Sequence, residues 1–411
     1  MPHIVFIAPH FLENTNRYVR AFAHLGVTLS VISHDPETSI PAGLRQRIAG
    51  HYRVADCQDV EQLTHAVRTL ARAIGPVDRL AGMLEQLQTP MAAVREALDL
   101  DGIRPAVARN FRDKDRMKEV LRAHGVPVAR SVLATSLDDI RAFVGEVGYP
   151  IIVKPQAGLG AKATSRVESA DQLAALQAPT PGAPLQVEEF VRAREHTCET
   201  VTIRGTPVWH SGTRYFPSPL EVLEMPWVQY CVLLPAEADD PTWTDFHPTN
   251  AAALAALFGP SGTTSSAGTA LSHMEWFYRE DDTSLVNEVG VRPPGVHIMP
   301  LMSITHDTDM VADWARLIAF DQWTPKPRVR GAGAAFFRGQ GSGSRVVSVT
   351  GIDRAVERIG DALVEARMPK VGQARAENYE GEGWAIVRHA TTEGVKDALR
   401  TLVETIQVRY G

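Results

Sequence analysis

Hydrophobic positions in the first hundred residues form two kinds of run. His3 to Ala8 is a short continuous apolar run, the pattern of a strand covered on both faces, and Val27 to Ile32 and Arg79 to Leu84 repeat it. Between these runs, Asn14 to Gly26 and Val60 to Ile74 place apolar residues three and four apart, which predicts amphipathic helices, the first closed by its glycine. The alternation predicts a doubly wound α/β domain over residues 1–108. Ligands of such sheets bind beyond the carboxyl ends of the strands. That makes the Pro9 to Asn16 loop and Glu85 candidate edges of a site, with ordinary loops as the equal alternative.

The pattern changes over 109–205, a central region. Asp113 to His124 reads as a helix closed by Gly125, and Ser136-Leu137-Asp138-Asp139 caps a second helix running to Gly148. Tyr149 to Pro155 reads as a strand, followed by a glycine-bearing loop from Gly158 to Lys162, an extended Ala163 to Val167 and a helix from Ser169 to Leu176. Leu185 to Phe190 and Glu199 to Ile203 are further strands, with a turn at Arg204-Gly205. Over 206–411, His273 to Tyr278 and Ser284 to Val289 predict an antiparallel pair around the acidic turn Arg279 to Asp282. Asp309 to Phe320 predicts a helix, and a glycine-rich segment at 331–343 leads into a final α+β portion. The stretch 205–270 assigns no elements.

Composition narrows the function classes. With 42 basic and 48 acidic residues, the net charge of −6 argues against a nucleic-acid surface. Cys57, Cys198 and Cys231 lie far apart without CxxC or Cys/His metal spacing, as expected of buried thiols in a reduced compartment. The apolar start has no basic leader and no run reaches about 18 apolar residues, so the expectation is a cytoplasmic protein that does not enter membranes. There are 7 Lys against 35 Arg. Where Arg is the default, a retained Lys suggests a need for a compact ammonium, and Lys154 stands out; Lys118, Lys370 and Lys396 read as helix-surface residues.

Lys154 stands at the base of the glycine loop, whose backbone N–H groups can meet phosphate oxygens. The Gly-Lys-Ser/Thr order of a P-loop is absent. Gly158-x-Gly160-x-x-Ala163 only imitates a dinucleotide fingerprint, because the chain after it reads as extended. A plain glycine hairpin with a surface Lys is the alternative. The backbone of Glu188-Glu189-Phe190-Val191 can pair with an adenine edge, and Glu195 can accept from both ribose hydroxyls; a solvated acidic face is the alternative. Glu275 and Glu288 lie on the two strands of one predicted hairpin, and two carboxylates with a nucleotide phosphate satisfy Mg²⁺. Arg292 follows closely enough to stabilise charge developing in the same pocket.

His273, His297, His306, Asp307 and Asp309 are discounted as a second metal site. Asp307 or Thr308 more simply caps the next helix, and His273 reads as a satisfied core residue. Neither HExxH nor Gly-x-Ser-x-Gly is present. Arg214, Tyr215, Trp227 and His297 are candidates for substrate contact.

Taken in order, these sets resemble the ATP-grasp superfamily, and within it the carboxylate–amine ligases of the amino-acid ligase type. The resemblance spans most of the chain and implies an ATP-grasp fold, with a small lid domain and a larger antiparallel α+β domain, after the α/β domain. It implies that Lys114 in Arg112-Asp113-Lys114 and Lys154 in Ile152-Val153-Lys154-Pro155 bind ATP phosphates under a mobile loop containing Gly158, Gly160 and Lys162. Glu188, Glu189, Phe190 and Val191 would hold adenine, Glu195 the ribose, and Glu275 and Glu288 Mg²⁺, which Mn²⁺ can replace. The implied reaction forms an acyl-phosphate that an amine attacks, with a small carboxylate and a small amine as partners and room for a homodimer. One position departs: Glu288-Val289-Gly290-Val291-Arg292 has Gly290 where many members place a metal-binding Asn, so water or a bidentate Glu288 is expected to complete the shell. A carboxylase using bicarbonate, and a non-catalytic nucleotide-binding protein, are the alternatives. A dehydrogenase is a poorer one, since no glycine fingerprint follows the first strand.

Overall fold

A computed structural model describes the chain apart from residues 157–163, 226–227, 261–265, 377 and 379. Strands His3–Ile7, Thr28–Ser33, Gly50–Arg53 and Arg79–Ala81 form a parallel sheet, with His3–Ile7 between Thr28–Ser33 and Arg79–Ala81. The period of two along the first strand sends Ile4 and Phe6 to the face covered by helix Glu13–Ala23, and Val5 and Ile7 to that covered by helix Val60–Ile74. The sheet is therefore doubly wound, as expected. Strand order reverses between His3–Ile7 and Arg79–Ala81, and Glu85 stands just beyond the carboxyl end of the latter, at the switch point.

A second, antiparallel sheet has the order Ser131–Ala134, Leu185–Glu189, Ile151–Pro155, Ser165–Val167. Ile151, Val153 and Val187 point from it toward helices Leu137–Val147 and Ala170–Ala174. Ser136 and Asp139 form the capping box anticipated for the first of these.

The third sheet holds eight antiparallel strands in the order Ser284–Gly290, Ala270–Tyr278, Arg194–Ile203, Thr206–Phe216, Tyr230–Leu234, Gly331–Phe337, Gly383–His389 and Leu363–Arg367. An expected division at 205/206 runs through a hairpin of this sheet, and one at 108/109 falls inside helix Pro105–Arg112. The glycine-rich segment is not a connection: Gly331–Phe337 is an interior strand. A Cβ added at Gly333 would lie 2.7 Å from Leu399 Cδ1, so the glycine lets helix Thr392–Thr405 settle directly on the sheet. On the opposite face, Ile298–Thr305 and Met310–Phe320 fill the space toward the parallel sheet, where Trp314 meets Tyr18 edge-on at 5.2 Å. Asp309, rather than Asp307 or Thr308, caps Met310–Phe320. Among the described residues no helix is long and apolar enough to cross a membrane.

Candidate active site

The hairpin Ala270–Tyr278 and Ser284–Gly290 sets the geometry. Its register places Glu275 directly opposite Glu288, so both carboxylates leave the same face of the sheet. A bulge follows Glu275, and the next residue, Trp276, is buried on the other face with its ring stacked 3.9 Å from Phe246. The carboxylates face a cleft of about 1170 Å³ between the small sheet and the large one.

Lys114 opens helix Lys114–Ala123, whose N-cap Asp113 accepts from the N–H groups of Asp115 and Arg116. Gln156, just past strand Ile151–Pro155, donates from Nε2 to Asp113, tying the helix to the small sheet. Lys114 reaches Glu288 Oε1 at 2.7 Å.

Lys154 pairs in register with Gln186, so Glu188 lies diagonally across on the same face, and Lys154 Nζ sits 3.0 Å from Glu188 Oε1. Lys118 Nζ meets the same oxygen at 3.1 Å. This corrects the reading of Lys118 as a surface residue: only 1% of its side chain is exposed. Burial pulls its ammonium down to about 8 against the attraction of Glu188, with Lys154 and Arg122 adding to the fall. Burial opposes the charge on Lys154 too, but Glu188 and Glu288 outweigh it and the net direction is up. Burial alone would raise Glu188; the two ammonium groups hold it at about 2.

Glu189 turns its side chain to Arg130, with Arg130 Nη2 2.7 Å from Oε2, and lines the cleft with Phe190, Val191 and Glu195. Burial and the nearby charge of Glu275 push the Glu195 carboxyl up, with Lys154 pulling the other way. Arg292 donates from Nε to Glu85 Oε2 at 2.7 Å, and burial of the guanidinium is more than offset by Glu85, so its charge is held firmly. Gly158, Gly160 and Lys162 lie outside the described residues, as does Trp227.

His273 is buried and hydrogen-bonded, as expected of a satisfied core residue, and it also lines the cleft. Its Nδ1 is 2.8 Å from Glu199 Oε1 and its Nε2 is 3.7 Å from Glu275 Oε1. Burial disfavours its charge, yet the two carboxylates raise it to about 9. Of the residues offered for substrate contact, Tyr215 lines the cleft. Arg214 points to the far face of the sheet, paired with Asp240 and set over Trp243, and His297 packs on Trp384. On that far face Cys198, His210 and His247 come together, with ligand atoms within 4.8 Å of one another. The two imidazoles are stacked at 4.3 Å and 20°, a pose in which their in-plane lone pairs do not converge on one ion. No periodicity links these three positions, so the sequence carries no sign of the cluster.

A family model described as carbamoyl-phosphate synthase L chain, ATP binding domain, matches residues 113–186, from the Lys114 cap through Lys154 to the strand bearing Glu188. The fold matches a solved L-amino acid ligase from Bacillus licheniformis with a TM-score of 0.76 at 18% identity, over 100% of this chain and 99% of the other. The chain has the ATP-grasp fold. The ATP-grasp likeness extends to the biotin carboxylase domain of the 2-oxoglutarate carboxylase of Hydrogenobacter thermophilus, solved with MgADP and bicarbonate: TM-score 0.66, 16% identity, 98% of this chain and 90% of the other. Among curated proteins, the L-arginine-specific L-amino acid ligase of Bacillus subtilis is 28% identical over 46% of this chain and 47% of its own length. The chain thus spans under half the length of the curated relatives it matches.

Proposed function

We propose that this chain uses ATP and Mg²⁺ to join a carboxylate, amino-acid-like in character, to an amine. The observation that carries the reading is the cross-strand pair Glu275 and Glu288, set in one cleft with Lys114, Lys154 and Arg292. Two opposed carboxylates beside two ammonium groups fit a metal–polyphosphate. Glu275 and Glu288 would hold the ion, and Mn²⁺ would serve in its place. Bound there, the ion would neutralise phosphate charge.

The protein's own groups supply position and charge. Lys114 and Lys154 face the phosphates, and Gly158, Gly160 and Lys162 are assigned to the same phosphates. The backbone from Glu188 to Val191 takes the adenine edge, and Glu195 takes the ribose hydroxyls. In the first step a carboxylate oxygen bonds to the γ-phosphorus while the bond to the β–γ bridging oxygen breaks, and ADP leaves with that electron pair. In the second, the amine nitrogen bonds to the acyl carbon, phosphate leaves, and the nitrogen loses a proton. Arg292 stabilises the transferred phosphoryl group and the oxyanion that follows. No protein nucleophile is needed. Small molecules are the partners we assign, with no nucleic acid, and a homodimer working in the cytoplasm is compatible with this role.

The test is a screen of amino-acid and small-acid pairs for ATP-dependent phosphate release, followed by Glu275→Gln and Glu288→Gln. Release that needs both an acid and an amine, and falls at least about 100-fold in each variant, is the expected result. Full turnover of both variants at saturating Mg²⁺ would remove the metal assignment. Release that instead requires bicarbonate would point to a carboxylase, and nucleotide binding without release to a non-catalytic protein.

A further inference from the structure

Gly290 leaves the expected metal shell one side chain short, and the structure places another carboxylate in that space. A Cβ added at position 290 would lie 3.2 Å from Glu85 Oε2, closer than to any other neighbour. The amide oxygen of an Asn lies about 2.4 Å from its own Cβ, from ordinary bond lengths. Glu85 Oε2 therefore lies close to the shell of positions that an Asn oxygen at 290 could take. Gly290 lies two residues beyond Glu288 on the same strand, so both positions face the cleft.

Glu85 is not a drifting surface acid. It stands at the switch point of the parallel sheet, and only 11% of its side chain is exposed. Two arginines hold it: Arg292 Nε at 2.7 Å from Oε2 and Arg112 Nε at 3.9 Å from Oε1. A buried acid so neutralised is stable without metal, and it occupies the guanidinium that the reaction needs.

We infer that Glu85, reaching across from the N-terminal sheet, supplies the metal-ligating oxygen that Gly290 does not, and gives up Arg292 as it does so. This rests on the reading of the cleft as a metal–nucleotide site. Mg²⁺ favours carboxylate oxygen, and a third acid raises the negative charge of the shell where an Asn would have added none. The exchange also couples two events: occupation of the shell by Glu85 Oε2 frees Arg292 to meet the phosphoryl group. The strand supplying Glu288 must then carry glycine at 290, because a side chain there would compete with Glu85 for the same volume.

Binding of Mn²⁺ tests this without turnover. Mn²⁺ is titrated into the protein holding a non-hydrolysable ATP analogue, with the bound ion followed by electron paramagnetic resonance. Relative to wild type, Glu85→Gln is expected to weaken the most loosely held ion at least tenfold. The double variant Glu85→Ala/Gly290→Asn, which removes the carboxylate and restores the amide, is expected to recover most of that loss. Should Glu85→Gln fold poorly by circular dichroism, Glu85→Asp serves instead, since its shorter carboxylate should also weaken the ion. Unchanged Mn²⁺ stoichiometry and affinity in the Glu85 variants, while Glu275→Gln weakens binding, would overturn the Glu85 assignment and leave the proposed function standing. Absence of nucleotide-dependent Mn²⁺ binding in wild type would overturn the function itself.

Discussion

Glu188 shows what one residue can hold together. Its carboxylate is buried between Lys118 and Lys154, so replacing it removes the counter-charge that the two ammonium groups share. Glu188→Gln should lower unfolding stability by about 3–5 kcal/mol, the range for breaking a buried ion pair from one side. The sign of the pH dependence follows from the folded value of about 2 against an ordinary 4.5. The stabilisation is complete above pH 4.5 and drains away as pH falls toward 2. Urea midpoints measured from pH 5 to pH 3 should therefore fall more steeply in wild type than in Glu188→Gln; parallel curves would remove Glu188 as the cause. Lys118 was illegible in the sequence because its role arises only when helix Lys114–Ala123 lies against a sheet diagonal. Glu275 and Glu288 were legible, since each sits in an apolar alternating stretch flanking a short acidic turn. His273 lies in the same stretch, but its carboxylate partner Glu199 is 74 positions away.

At the scale of elements, local signals read well where one face of an element meets water. Val60–Ile74 and the Ser136-capped helix have the expected bounds because amphipathic spacing and caps are written locally. The stretch 205–270 gave no such signal. Tyr230–Leu234 is buried throughout, and the alanine-rich helix His247–Phe258 is apolar on more than one side, so neither has a polar face to mark its period. Gly331–Phe337 was given no element for a related reason: its glycines carry no strand pattern, yet Gly331 and Gly333 are sites where a helix comes close. Gly333→Val should overpack this contact and cost roughly 1–3 kcal/mol, seen as a lower thermal midpoint. An unchanged midpoint would mean that helix Thr392–Thr405 shifts freely. Asp309→Ala removes the side chain that accepts from Val311 and Ala312 N–H groups, and should cost about 1 kcal/mol by the same measurement.

Across the whole molecule, the order of the chemical sets along the chain was sufficient to suggest the fold, while contacts between sheets were not. Arg166, on the edge strand of the small sheet, reaches Glu224 beside the large sheet at 3.1 Å and lies over the Phe190 ring at 5.2 Å. This contact bridges the cleft between the two sheets. Glu224→Gln should expose the small sheet to faster limited proteolysis in the absence of nucleotide, and a bound ATP analogue should restore most of the protection. Equal cleavage of wild type with and without the analogue would argue against closure over ATP.

The approach of Glu85 to the bare backbone of Gly290 also bears on how such a chain can diversify. Glu85 follows the parallel sheet and Gly290 ends a strand of the large one, yet the space taken by one is the space denied to the other. A chimaera that exchanges the N-terminal parallel sheet for one followed by a small residue at 85 would leave an empty slot, and one that imports a bulkier residue at 290 would collide with the acid. The two positions should therefore be inherited as a linked pair. Recombination at the seam between them is productive only when both sides travel together.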